Sequence, residues 1–104
     1  MNLNNIIYKI KSIKPNIKFV GEFDENNQRT GYWEFYYSKG NLSRKGNYIN
    51  GERNGYWEVY YSNGDIMWKG NYLNGERDGY WVEYYSNGDI MYKGNYINGL
   101  IVKH

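Results

Sequence analysis

The residues with catalytic potential are few, and their spacing argues against catalysis. Glu58 and Asp65 are the carboxylate pair closest to a general acid and base of the glycoside-cleaving kind. Asp65 and its counterpart Asp89, however, each follow Asn-Gly directly, and that context makes them turn residues. The Ser-Asn-Gly-Asp segments lack the ligand spacing of a calcium loop. There is no Cys, and the single His is His104, so neither a thiolate or zinc set nor a Ser-His or Cys-His pair can be assembled. No catalytic residue, metal ligand or cofactor site is expected, and the chain is read as a non-enzyme.

The remaining candidates are binding groups. Tyr32, Tyr36, Tyr56, Tyr60, Tyr80 and Tyr84 recur at fixed positions, and Tyr offers a large rigid contact area at low entropic cost. Where the middle unit has Glu58-Val59, the next has Val82-Glu83, which brings a carboxylate to one face and Val82 to the other. These eight residues form the expected partner-binding set. Arg44 stands where Trp68 stands one unit later and faces Phe35, a position suited to stacking on the ring. Trp and Tyr together could also cage a choline-like cation.

Those side chains are positioned by an internal repeat. Gly31-Tyr32-Trp33, Gly55-Tyr56-Trp57 and Gly79-Tyr80-Trp81 recur every 24 residues, as do the Tyr-Tyr-Ser and Lys-Gly-Asn-Tyr segments. Residues 41–64 match 65–88 at sixteen of twenty-four positions. Within a unit, Tyr56 to Tyr61 reads as a strand, Asn63-Gly64 as a two-residue type I′ turn and Ile66 to Leu73 as the returning strand. That turn sets Tyr61 against Ile66, Val59 against Trp68 and Trp57 against Gly70. An indole lying on its cross-strand glycine recovers contact that the glycine cannot make, and the same register gives Trp33 on Gly46 and Trp81 on Gly94.

Alternation then sorts Trp57, Val59, Tyr61, Ile66, Trp68 and Tyr72 to a core face, and Tyr56, Glu58, Tyr60, Met67, Lys69 and Asn71 to a wetter one. On the wetter face Glu58 opposes Lys69, and Glu34 opposes Lys45. Units are joined through loops at Asn50 to Gly55 and Asn74 to Gly79, short enough to make successive strands antiparallel neighbours. The fold class is all-β: a single-layer, twisted antiparallel meander of stacked hairpins, elongated, with seven to eight strands. Absence of Ala, 14 Tyr, 13 Gly and one Pro fit that reading.

The 104 residues are enough for one repeat domain, with an expected compact radius of about 13 Å. Residues 1–16 form a degenerate cap or arm, 17–40, 41–64 and 65–88 the repeats, and 89–104 a half-repeat and cap. Ile17, Phe19, Gly21 and Phe23 occupy the places of Ile66, Trp68, Gly70 and Tyr72, and the loop from Asp24 to Gly31 is one residue longer. Upstream, Tyr8, Ile10 and Ser12 fit a strand ending at Lys14-Pro15-Asn16, while Ile6, Ile10 and Ile13 fit a basic amphipathic helix; the strand is preferred. Leu100-Ile101-Val102 reads as a short strand that closes the last edge or pairs with another molecule in a homodimer.

The formal charge of +2 is uneven, since Lys9, Lys11, Lys14 and Lys18 are the only charges in the first eighteen residues and the rest carries 9 bases against 11 acids. Such a body is a poor match for nucleic acid. Four lysines support only transient contact with an anionic membrane. No apolar run approaches the roughly 20 residues of a bilayer span, and the start has no leader pattern, so a cytoplasmic address is expected.

With these residues set out, the pattern Gly-x-Tyr-x-Asn-Gly-x-Arg-x-Gly-x-Trp-x-x-Tyr-Tyr-x-Asn-Gly resembles the MORN repeat, in the bacterial variant found in antitoxin-like proteins. The resemblance spans Ile17 to Gly99. It implies an elongated hairpin scaffold for binding or assembly, linked in some members to lipids or to neutralising a toxin, and it brings no catalytic residue. The expected function is a protein-binding module that inhibits its partner; the alternatives are choline or glycan binding by aromatic cages and a membrane-associated scaffold.

Overall fold

The structure is a computed structural model and describes residues 18–102. Its eight strands are β1 (Phe19–Phe23), β2 (Arg29–Tyr36), β3 (Leu42–Ile49), β4 (Glu52–Tyr60), β5 (Ile66–Leu73), β6 (Glu76–Tyr84), β7 (Ile90–Ile97) and β8 (Leu100–Ile101). They lie side by side in chain order in one sheet, every neighbour antiparallel. This is the expected meander. The strand or helix read into residues 1–16, together with Ile17, lies outside the described residues. The radius of gyration is 15.3 Å and the extents are 51 × 31 × 12 Å. A single layer cannot curl into the compact sphere expected for this length, so the described residues form a plate.

The two kinds of Asn-Gly turn exchange the roles expected of them. Asn63-Gly64 is not a type I′ turn. Gly64 N–H donates to the Tyr61 carbonyl and Tyr61 N–H to the Asp65 carbonyl, and positive φ falls on Gly64 alone. Ser62-Asn63-Gly64 is thus a three-residue loop with glycine in the left-handed bulge position, and Tyr61 does not face Ile66. The two-residue turns are Asn50-Gly51, Asn74-Gly75 and Asn98-Gly99, where both residues have positive φ. Consequently Glu52 to Gly55 and Glu76 to Gly79, expected as loops, are the first residues of β4 and β6.

The predicted register survives beyond the loop, with Trp57 opposite Gly70 and Val59 opposite Trp68. On its other edge β4 is irregular: Lys45 pairs with Glu58, yet Asn47 pairs with Asn54, so Gly55 and Tyr56 are extra residues against β3. The same interruption recurs at Gly79 and Tyr80 against β5. A bulge of this sort bends its strand and re-aims a side chain, here the first tyrosine of each Gly-Tyr-Trp.

The core is a row of indoles. Trp33, Trp57 and Trp81 are each 0% exposed, in a sheet that has no second layer among the described residues. The register places a glycine on both sides of each interior indole, but the ring lies over the one on the preceding hairpin. A Cβ added at Gly21, Gly46 or Gly70 would overlap Trp33, Trp57 or Trp81 respectively. The expected seating of Trp57 on Gly70, Trp33 on Gly46 and Trp81 on Gly94 is therefore shifted back by one hairpin, and each indole bridges two units. Its N–H confirms the direction: Trp57 donates to the Asn47 carbonyl at 3.0 Å and Trp81 to the Asn71 carbonyl at 2.9 Å. Tyr48 and Tyr72 stand edge-on to Trp57 and Trp81, both at 5.1 Å. The worn first unit obeys the same rule, with Phe23 edge-on to Trp33 at 5.1 Å.

Candidate binding face

The face built on the indoles is closed by the chain's own arginines. Arg29, Arg53 and Arg77 lie over the rings of Trp33, Trp57 and Trp81 at 5.2, 5.0 and 4.3 Å. Arg53 and Arg77 also donate to the Tyr72 and Tyr96 hydroxyls. Trp33, Trp57 and Trp81 are themselves fully buried, and a guanidinium lies over each of their rings. For Arg53 and Arg77 the ladder arises from Glu-Arg-x-Gly segments that are expected in loops and lie instead at the starts of β4 and β6. The 24-residue recurrence of the arginine was the available signal.

Glu83 falls on this face opposite Tyr92, as expected, and forms an ion pair with Arg77 at 3.6 Å. Arg44 stacks on Phe35 at 4.0 Å. Its Nε is buried and has no hydrogen-bond partner among the described residues. Burial, followed by the charges of Arg53 and Arg29 and against an opposing contribution from Tyr48, holds the guanidinium below its ordinary pKa. A half-buried guanidinium whose Nε is left without a partner costs more than an apolar side chain of similar volume. Arg44→Met is therefore expected to stabilise the fold by about 1 kcal/mol, after allowing for the lost ring contact, as a higher urea midpoint at unchanged slope.

The opposite face is the more open one. The bulge turns Tyr32, Tyr56 and Tyr80 outward, with 51%, 48% and 52% exposure, while Tyr36, Tyr60 and Tyr84 are half-buried beside them. In the first two units a carboxylate holds both phenols of a pair. Tyr32 donates to Glu34 Oε2 at 2.9 Å and Tyr56 to Glu58 Oε2 at 2.8 Å, while Tyr36 and Tyr60 donate to the other oxygens, Oε1, of the same carboxylates. Lys45 reaches Glu58 at 3.5 Å, across the edge opposite to the Lys69 pairing. In the third unit the central position is Val82, buried between Tyr80 and Tyr84 along β6 and facing Lys69 and Lys93 across it. The structure thus gathers the six tyrosines and Val82 on one face and places Glu83 on the other.

The clamp sets the ionisation of its members. Burial tends to raise the Glu58 pKa, but hydrogen bonds from Tyr60 and Tyr56 and the charge of Lys45 outweigh it, and the carboxyl lies below its ordinary value. Burial first, then the hydrogen bond to Glu58 and its charge, pushes Tyr56 up to about 12 and raises Tyr60 for the same reasons. The signs differ at the two ends of the pH scale. The Glu58 contribution is complete above the ordinary carboxylate pKa of about 4.3 and is lost as pH falls through the lowered value. That of the phenols is complete below about 10 and is lost as pH rises through their raised values. Glu58→Gln should lower the Tyr56 phenol from about 12 while burial still holds it above about 10, read as phenolate absorbance appearing at lower pH than in the parent chain.

Second tyrosines tie neighbouring hairpins together. Tyr37 donates to the Tyr60 carbonyl, and Tyr61 to the Tyr84 carbonyl at 2.7 Å. Among the described residues no group of three or more His, Cys, Asp or Glu side chains could hold a metal ion. No helix among them is long and apolar enough to cross a membrane.

A sheet of hairpins, each seated on the one before and presenting paired tyrosines on one side, defines a repeat-built scaffold. Residues 29–50, 53–74 and 77–98 match the model of the MORN repeat variant. The three matches cover more than half of the chain, which belongs to that family, and the repeat suggests in general terms a binding module. A search of curated proteins finds no match.

Proposed function

We propose that this chain is a non-enzymatic module that binds another protein through the tyrosine face of its sheet and thereby inhibits it, in the cytoplasm, in the manner of an antitoxin. The observation that supports this reading is the clamped tyrosine row. Tyr32 with Tyr36 and Tyr56 with Tyr60 are fixed by a shared carboxylate, so part of the ordering cost of an interface is met before binding. The other face is filled by arginines stacked on its rings, which leaves the tyrosine row as the larger open surface.

Crosslinking in native lysate tests the proposal. The parent chain is expected to yield one specific protein adduct, and a Tyr36→Ala, Tyr60→Ala, Tyr84→Ala variant with unchanged circular dichroism to lose it. Equal crosslinking by the variant would remove the face from consideration. Calorimetry showing tight binding of choline or an oligosaccharide, or flotation with anionic vesicles, would replace the protein partner with a ligand or a membrane.

A further inference from the structure

One residue from each strand forms a row across the tyrosine face: Glu34, Lys45, Glu58, Lys69, Val82 and Lys93, on β2 to β7 in turn. Charge alternates in sign along it from Glu34 to Lys69. Val82 then stands where the next carboxylate belongs, between Lys69 and Lys93. The missing charge has crossed the sheet, because Val82-Glu83 inverts Glu58-Val59 and Glu83 pairs with Arg77 on the arginine face at 3.6 Å. β6 is paired with β5 on one edge and β7 on the other, so the break in the row lies inside the sheet.

The two preceding units show what a carboxylate does at this place. Glu34 takes hydrogen bonds from Tyr32 and Tyr36, and Glu58 from Tyr56 and Tyr60. Tyr80 and Tyr84 repeat those phenols in position, and Tyr80 repeats the exposure of Tyr32 and Tyr56, 52% against 51% and 48%. Neither the Tyr80 nor the Tyr84 hydroxyl is hydrogen-bonded among the described residues, and neither Lys69 nor Lys93 forms an ion pair among them. The Lys69 ammonium lies 5.8 Å from the centre of the Tyr84 ring. Val82 is buried, and its methyls end one bond short of where a glutamate's carboxylate carbon would stand. Phenol donors and ammonium groups thus flank an apolar floor whose row supplies no carboxylate.

We propose that this place accepts a carboxylate from outside, a Glu or Asp side chain of the partner protein, bridging the Tyr80 and Tyr84 hydroxyls above Val82 with Lys69 and Lys93 as its counter-charges. The inference rests on the tyrosine face being the binding surface and names the group that this face selects. Donors and positive charge without an acceptor select an anion, and hydrogen bonds to an ionised acceptor are the stronger kind. The first two units show that a side-chain carboxylate has the size to span such a phenol pair. Because those units carry their own carboxylate, an acidic residue of the partner fixes its register on the third.

The test uses the full chain and a blocked glutamate, N-acetyl-glutamate N-methylamide, followed by nuclear magnetic resonance of the tyrosine rings at constant ionic strength. Saturable shifts are expected at Tyr80 and Tyr84 and not at Tyr56 and Tyr60. The glutamine counterpart should bind at least about tenfold more weakly, the worth of one hydrogen bond to a charged group. Lys69→Met should weaken the glutamate probe several-fold. Val82→Glu supplies the carboxylate from within the chain, as Glu58 does, and should abolish binding at unchanged circular dichroism. Glu58→Val should do the reverse and open a second site, with new shifts at Tyr56 and Tyr60. Absence of saturable shifts, binding that survives Val82→Glu, equal binding of the glutamine probe, or a folded Glu58→Val chain without the second site overturns the proposal. A phosphoserine probe binding at least about tenfold more tightly than glutamate would assign the place to a phosphorylated partner and overturn it as well. Failure here is separable from failure of the face itself: a lysate adduct that the Tyr36, Tyr60 and Tyr84 triple Ala variant loses but Val82→Glu keeps would uphold the tyrosine face and remove its acidic anchor.

Discussion

Gly46→Val should leave little folded protein at 25 °C. The first added carbon would overlap the Trp57 ring at its fused edge, in a rigid, fully buried indole and not at the far end of a flexible side chain. To admit it, Trp57 must leave its seat, and with it go the hydrogen bond to the Asn47 carbonyl, the edge contact with Tyr48 and the surface beneath Arg53. The combined loss is expected to exceed about 4 kcal/mol, a large part of the roughly 5–15 kcal/mol that holds a domain together. Far-ultraviolet circular dichroism and urea titration would read it. A midpoint within about 1 kcal/mol of the parent would show that the indole is not seated there. Gly94→Val is the matched control, with the same substitution at a glycine where the nearest atoms to the added carbon are the far end of the Tyr92 side chain.

Trp57→Ala should cost about 3–5 kcal/mol, the range for truncating a buried large aromatic. Its cavity lies between two hairpins, so neither unit can relax into it without giving up pairing with the other. The two substitutions should also be strongly coupled. Once the indole is gone, Val at position 46 meets no ring, and Gly46→Val added to Trp57→Ala should cost less than about 1 kcal/mol further. A double-mutant cycle in urea would then return a coupling of several kcal/mol. Additive losses would instead mean that residues 46 and 57 act separately.

Much of this plate was legible in the residues. The 24-residue period, the Trp57 to Gly70 register and the division of side chains between two faces all follow from recurrence and alternation. The choice of turn did not, because Asn-Gly occurs twice in each unit. The copy that makes the two-residue turn is the one whose hairpin also carries the bulge at Gly55 or Gly79, a pairing feature that the dipeptide itself does not encode. The direction of the indoles was hidden for a related reason. Trp57 has a glycine opposite it on both neighbouring strands, and register alone cannot say over which one the ring lies. The tyrosine clamps are latent in Tyr-x-Glu-x-Tyr, since side chains two apart share a face, but cross-strand pairing alone sets Glu34 and Glu58 against lysines and does not show them.

Strand spacing gives the tyrosine row a metric. Each unit advances the sheet by two strands, so equivalent phenol pairs stand about 9.6 Å apart, twice the interstrand distance. Twist turns each pair by about 40–50° relative to the last. The row is thus a short spiral scale with three marks, and a surface can meet all three only if its own contours advance and rotate at that interval.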